Sequence, residues 1–331
     1  MTPLLLAVVL AVSDRGVLAA HDGSIEMFDR TATNRIWSGE GLPTPSRIVT
    51  SNQQAVIIDP LASQIRMIDL ASGRGTTLRT GETPIDGTFL NGRLYLLERD
   101  ARALERIGAD GARASIPLAA DPAFVRQAGD HIYVYSRTAG VIQEITTSPF
   151  AVSRTVGVAP FASDLELDAK NAYLIFPRGG KIRIVSLATM KNSGSFDVGA
   201  VPVDAAFASS GTALTARTLA VADPSAKRVW MVQGAESFAQ AFARGFLRGL
   251  IGLGLYGGGA SQFPTGIDRV IVSRSRSYAY DSSSGTLYRF TKSSSSVVAK
   301  NVAPEGFAIG ADGLYVWDNA VRRLQRFDSN D

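Results

Sequence analysis

The chain has 331 residues, 45% hydrophobic and 19% charged, with a formal net charge of +4 and a pI near 9.4. Lys and Arg are dispersed and no RNA-recognition or zinc-finger motif occurs, which argues against nucleic acid as a partner. With no cysteine there is no disulfide, thiolate nucleophile or cysteine-ligated metal, and with no apolar run of about 18 residues or more there is no membrane-spanning helix to predict.

The first apolar run, Leu4 to Val12, has the character of a secretory leader, but no Lys or Arg precedes it. Thr2-Pro3 followed by AVSDRGVLAAHD parallels Ala303-Pro304 followed by AIGADGLYVWD. Residues 3–13 are therefore read as the innermost strand of a first repeat. Prolines open such runs at Pro3, Pro45, Pro84, Pro122, Pro160, Pro202, Pro264 and Pro304. Each is followed by a turn, a second apolar strand and a third strand starting at Ile25, Ile65, Leu104, Ile142, Ile182, Val229, Leu287 and Leu324, a spacing of about 40 residues that stretches twice near the end. Asn91-Gly92, Asp312-Gly313 and Asp22-Gly23 supply turn chemistry between strands. The first two strands of each unit are apolar at nearly every position, as strands buried on both faces should be, and the third alternates.

This pattern predicts an all-β fold, a β-propeller of one domain over residues 1–331 with eight blades, seven being the alternative. The last unit ends at Asp331 before a fourth strand. Either that blade has three strands, or the natural start lies upstream and carries both a closing strand and a leader. The second option implies an exported protein, periplasmic or extracellular.

The closest copies of the unit, PVDAAFASSGTALTARTLAVADPSAKRVWMV from Pro202 and PEGFAIGADGLYVWDNAVRRLQRFD from Pro304, resemble the bacterial YVTN and NHL propeller repeats, although Asp mostly replaces Asn at the end of the second strand. The resemblance implies blade packing; the family includes binding modules, scaffolds and some enzymes.

Between Val232 and Pro264 the chain is longer than its counterparts. Phe238, Phe242, Phe246 and Leu250 recur every four residues opposite Gln240, Arg244 and Arg248, which predicts a basic amphipathic helix over 237–253. Placed in the link between blades 6 and 7, it would emerge on the face bearing the turns between second and third strands, as a packed cap, a lid, a partner-docking helix or a membrane-surface contact.

On that face the sequence gathers Arg47, Asp86, Arg126, Asp164, Asp204, Asp268 and Glu305 after the strand-opening prolines, and His21, Asp22, Asp59, Asp223, Asp281 and Asp318 at the ends of second strands. Aspartates before tight turns ordinarily bind turn amides. The other set could line a channel, and Asp86, Asp204, Asp268 and Glu305 could hold a divalent cation such as Ca²⁺ or Mn²⁺. The only histidines are His21 and His131, expected on opposite faces, and no catalytic serine or zinc motif occurs. The leading expectation is a module without catalysis or cofactor that binds a protein, peptide or glycan through Arg47, Asp86, Arg126, Asp204, Asp268, Glu305 and His21. The alternative is a metal-dependent lactonase- or lyase-like enzyme.

Overall fold

A computed structural model describes residues 8–198, 201–207, 218–233, 260–272, 277–291, 294–310 and 312–327. The described chain forms eight antiparallel sheets in sequence order. The first contains β1 (Val8–Ser13), β2 (Gly16–His21), β3 (Ser24–Phe28) and β4 (Arg35–Glu40), each paired with the next. The plan repeats with β5–β8 (47–79), β9–β12 (84–117), β13–β16 (122–157), β17–β20 (164–197), β21–β24 (204–262) and β25–β28 (269–299). The eighth sheet has three strands among the described residues, β29–β31 (302–327).

Alternation along the second strands explains the ring. In β6 (Gln54–Asp59), Ala55 and Ile57 pack toward blade 1 while Val56 and Ile58 pack toward blade 3. Leu94 and Leu96 in turn meet blade 2, and Tyr95 and Leu97 meet blade 4. A strand buried on both faces must be apolar throughout, which is why these segments lack polar alternation. Each of the eight blade interfaces has its own hydrophobic core. One of them joins Tyr315, Trp317 and Leu324 of blade 8 to Val8, Leu10, Val17 and Ala19 of blade 1, so the ring is closed by packing. Polar ties reinforce that seam. Arg30 donates to Asp312 at 2.9 Å and to the Ser13 carbonyl at 2.8 Å, while Tyr315 and Arg326 donate to the Arg30 carbonyl at 2.7 and 2.8 Å.

A second periodic feature fixes one face. Every turn between second and third strands contains one residue with φ between 49° and 72°, namely Gly23, Ser63, Arg102, Gly140, Gly180, Lys227, Gly285 and Arg322. In six blades its carbonyl accepts the N–H of the residue leaving the outer strand, for example Val158 N to Gly140 O at 2.8 Å and Leu118 N to Arg102 O at 2.7 Å, and in blade 7 Gly285 accepts from Val302, the first residue of blade 8. The left-handed residue turns its carbonyl outward to meet the outer strand. Only half of these residues are glycine.

The expected helix requires correction. The described residues form strands and turns with no helix, and 237–253, with Phe238, Phe242, Phe246 and Leu250, lies outside them. The placement of the insertion also changes. β24 (Ala260–Gln262) pairs with β23 (Arg228–Gln233) as the outer strand of blade 6, Trp230 facing Ala260 and Arg228 facing Gln262. The insertion therefore joins third to fourth strand, and its two ends lie on the face opposite the one expected. A three-residue strand with no apolar alternation leaves too little pattern to read. No helix among the described residues is long and apolar enough to cross a membrane.

Candidate functional site

Strand register sorts the residues around the central channel into layers. Opposite the penultimate residue of each second strand stand Val9, Arg47, Asp86, Phe124, Asp164, Asp204 and Arg269 in blades 1 to 7. Three of these are aspartates with one shared role. Asp86 accepts the N–H of Val125 at 3.2 Å, Asp164 that of Ala205 at 3.2 Å, and Asp204 that of Val270 at 2.8 Å, each donor lying on the innermost strand of the next blade. An innermost strand has an unpaired edge toward the channel, and the carboxylate caps one of its amides.

Charges follow from that layer. Asp86, 2% exposed, also receives Arg47 Nε and an Arg126 guanidinium nitrogen, each at 2.8 Å. Arg126 reaches Asp164 at 3.7 Å as well. Glu166, one layer deeper on β17 (Asp164–Leu167), is pushed up to about 8 by burial and by the carboxylates of Asp164 and Asp204. Asp204 is likewise pushed up to about 8 by burial and by Asp164. The channel thus gathers arginines of blades 2 and 4 around Asp86 and carboxylates that hold their protons on the side of blades 5 and 6.

The remaining predicted residues fall elsewhere. Glu305 pairs with Arg269 at 2.6 Å on the channel rim. Asp268 accepts the N–H of Ser282 at 3.2 Å and its hydroxyl. His21 lies 4.7 Å from the Trp317 ring and 3.4 Å from Glu26, at the seam between blades 8 and 1 and apart from the channel layer. The aspartates ending second strands bind turns and links: Asp59 accepts the Thr44 N–H at 2.9 Å and the Ala62 N–H at 3.0 Å, and Asp223 accepts from Ser225 and Ala226. Among the described residues no three His, Asp or Glu side chains form a metal-holding group.

The same face carries a feature absent from the sequence reading. Phe161 is 50% exposed and has φ 65°. It lies in the link from blade 4 to blade 5, three residues before Asp164, where the equivalent links place Thr83 before Asp86 and Asp121 before Phe124. Tyr135 clamps the link on both sides, donating to Ala159 O at 2.8 Å and accepting from Ala162 N at 2.9 Å. Phe161 N donates to Arg137 O at 3.0 Å. The Arg178 guanidinium sits 5.6 Å from the Phe161 ring centroid, and those of Arg126 and Arg137 lie 5.7 and 5.8 Å from Phe124. Leu61 at 85%, Val321 at 63% and Val201 at 37% exposure stand on this face too. Counting from Pro160 misaligns blade 5 by two residues relative to Pro84 and Pro122; with that offset removed, Phe161 stands out as the bulkiest residue at a position held by Thr44, Thr83 and Asp121 in blades 2 to 4.

No protein-family model matches the sequence, and no curated protein matches it. In shape the chain is similar to the computationally designed Ika8 protein, with a TM-score of 0.75 and 10% identity over 99% of this chain and 98% of that one. It is also similar to BamB from Moraxella catarrhalis (TM-score 0.66, 9% identity, 98% and 99% covered). Virginiamycin B lyase from Staphylococcus aureus is a third (TM-score 0.62, 12% identity, 86% and 92% covered). The protein is an eight-bladed β-propeller. At such identities the likeness is one of fold, and the fold is shared by proteins of differing function.

Proposed function

We propose that this propeller, a repeat protein of the YVTN/NHL kind, is a non-catalytic binding module that takes a protein or peptide partner on the face bearing Phe161. The observation that carries this reading is the double cost of that side chain. A bulky residue in left-handed backbone costs on the order of 1–3 kcal/mol, and half-exposure forgoes part of the roughly 1.5–3 kcal/mol its burial would return. Tyr135 and Arg137 hold the link in place against that cost, and Arg178 covers one ring face without hiding it. Aromatic and arginine anchors are the side chains that dominate protein interfaces. The ties that engage Asp86, Asp204 and Glu305 support binding over metal-dependent hydrolysis.

Site-specific photocrosslinking tests it in cells producing the full chain, with the photoreactive residue at position 178 or, on the opposite face, at position 93. A discrete adduct from 178 alone, lost in Phe161→Asp with unchanged melting temperature, is the expected result. Equal labelling from both positions sinks the reading.

A further inference from the structure

The opposite face, formed by turns between first and second strands, carries a cleft of about 570 Å³ at the junction of blades 2 and 3. Its size falls within the roughly 300–1,000 Å³ of small-molecule sites. The wall from blade 2 is Ser51, Asn52, Gln53 and Gln54; that from blade 3 is Phe89 and Asn91, with Gly92 completing an Asn-Gly turn at φ 51° and 71°.

The composition of this wall is selective. No ionisable side chain lines it, in a chain with 34 basic and 30 acidic residues. The side-chain amides of Asn52, Gln53, Gln54 and Asn91 make no hydrogen bond to the protein among the described residues. Ser51 is engaged locally instead, its hydroxyl accepting Gln54 N–H at 3.0 Å and donating to Gln54 O at 3.2 Å, which stiffens the turn that presents the amides. Each free amide offers two donors and an acceptor with two lone pairs. Half-buried Phe89, packed on one side against the core between blades 2 and 3, adds aromatic surface beside them.

From this wall we infer that the cleft is a binding site for a neutral saccharide. Vicinal hydroxyls donate and accept at once and are matched by amides, which do the same; the C–H face of a pyranose ring lies against an aromatic ring through dispersion and weak C–H contacts. An anionic ligand finds no cation here. An extended peptide finds no strand edge to pair with, because the walls are hairpin ends. The site is independent of the Phe161 face.

The test is saturation-transfer NMR and calorimetry of the full chain with neutral gluco-, manno-, galacto-, xylo- and chito-oligosaccharides. At least one series is expected to bind with millimolar or better affinity. Asn52→Ala and Gln53→Ala, on an exposed turn, should each weaken that binding about tenfold, as loss of one good hydrogen-bonding group does. Phe89→Leu, which keeps an apolar residue in β9 (Pro84–Leu90) against the core between blades 2 and 3, should weaken it similarly in protein shown by circular dichroism to be folded. Phe161→Asp should leave it unaltered, so failure of the partner face and failure of this site are read separately. Absence of binding across the panel, or binding indifferent to Asn52→Ala and Gln53→Ala, overturns the inference.

Discussion

Asp86 accepts the main-chain N–H of Val125 across a blade boundary, at 3.2 Å and 39 positions along the chain. The tie recurs from Asp164 to Ala205 and from Asp204 to Val270, so a residue type that reads as channel chemistry also serves to hold neighbouring innermost strands together.

Asp86→Ala therefore strips a partner from Arg47, Arg126 and Val125 at once. Removing one member of a buried ion pair costs about 3–5 kcal/mol. Chemical denaturation is expected to give a loss in that range, with Asp86→Asn intermediate because it still accepts from Val125.

Glu166 and Asp204, both pushed up to about 8, bind protons in the folded state that the unfolded chain releases near pH 4. The folded state thus holds more protons between about pH 4 and 8, and stability falls as pH rises through that window. Thermal unfolding should show a lower melting temperature at pH 9 than at pH 5, a slope that Glu166→Gln reduces. A melting temperature that rises over the same interval contradicts the raised proton affinity of these two carboxyls.

The turns make opposite predictions at equivalent positions. Arg102 and Lys227 hold left-handed backbone at φ 50° and 52°. Replacement by glycine should stabilise the fold by up to about 1 kcal/mol. Gly140→Ala should destabilise it, since a Cβ there would lie 2.7 Å from Ala159 C and Pro160 N, the backbone that sets Phe161. Melting temperatures of the single variants check the signs.

Tyr315 closes the ring through its hydroxyl, which donates to the Arg30 carbonyl at 2.7 Å and lies 2.9 Å from Asp312. Tyr315→Phe should cost about 1–2 kcal/mol and raise amide hydrogen exchange in β1 and β29–β31 before other blades.

Calorimetric titration with Ca²⁺ or Mn²⁺ is expected to give no stoichiometric binding. Tight binding abolished by Glu305→Gln and Asp204→Asn would restore the metal-dependent reading.

Blade number and the identity of the second and third strands were legible from the chain alone, because a strand packed on both faces must be apolar throughout and because each unit restarts at a fixed interval. Asn91-Gly92 marked its turn for the same local reason. Beyond that reach lay the outer strand Ala260–Gln262, whose pairing with Arg228–Gln233 comes from register and not from its own pattern, and the helix expected at 237–253 rested on periodicity without that register. Tertiary structure alone decided which polar residues meet. Asp86, Arg47 and Arg126 are brought together from three blades, His21 is carried off to the seam beside Trp317, and Phe161 is exposed only because Tyr135 and Gly140 fold the preceding link against the turn. Local pattern fixes an element's faces; the distance between side chains some forty residues apart depends on how the blades are turned about their axis.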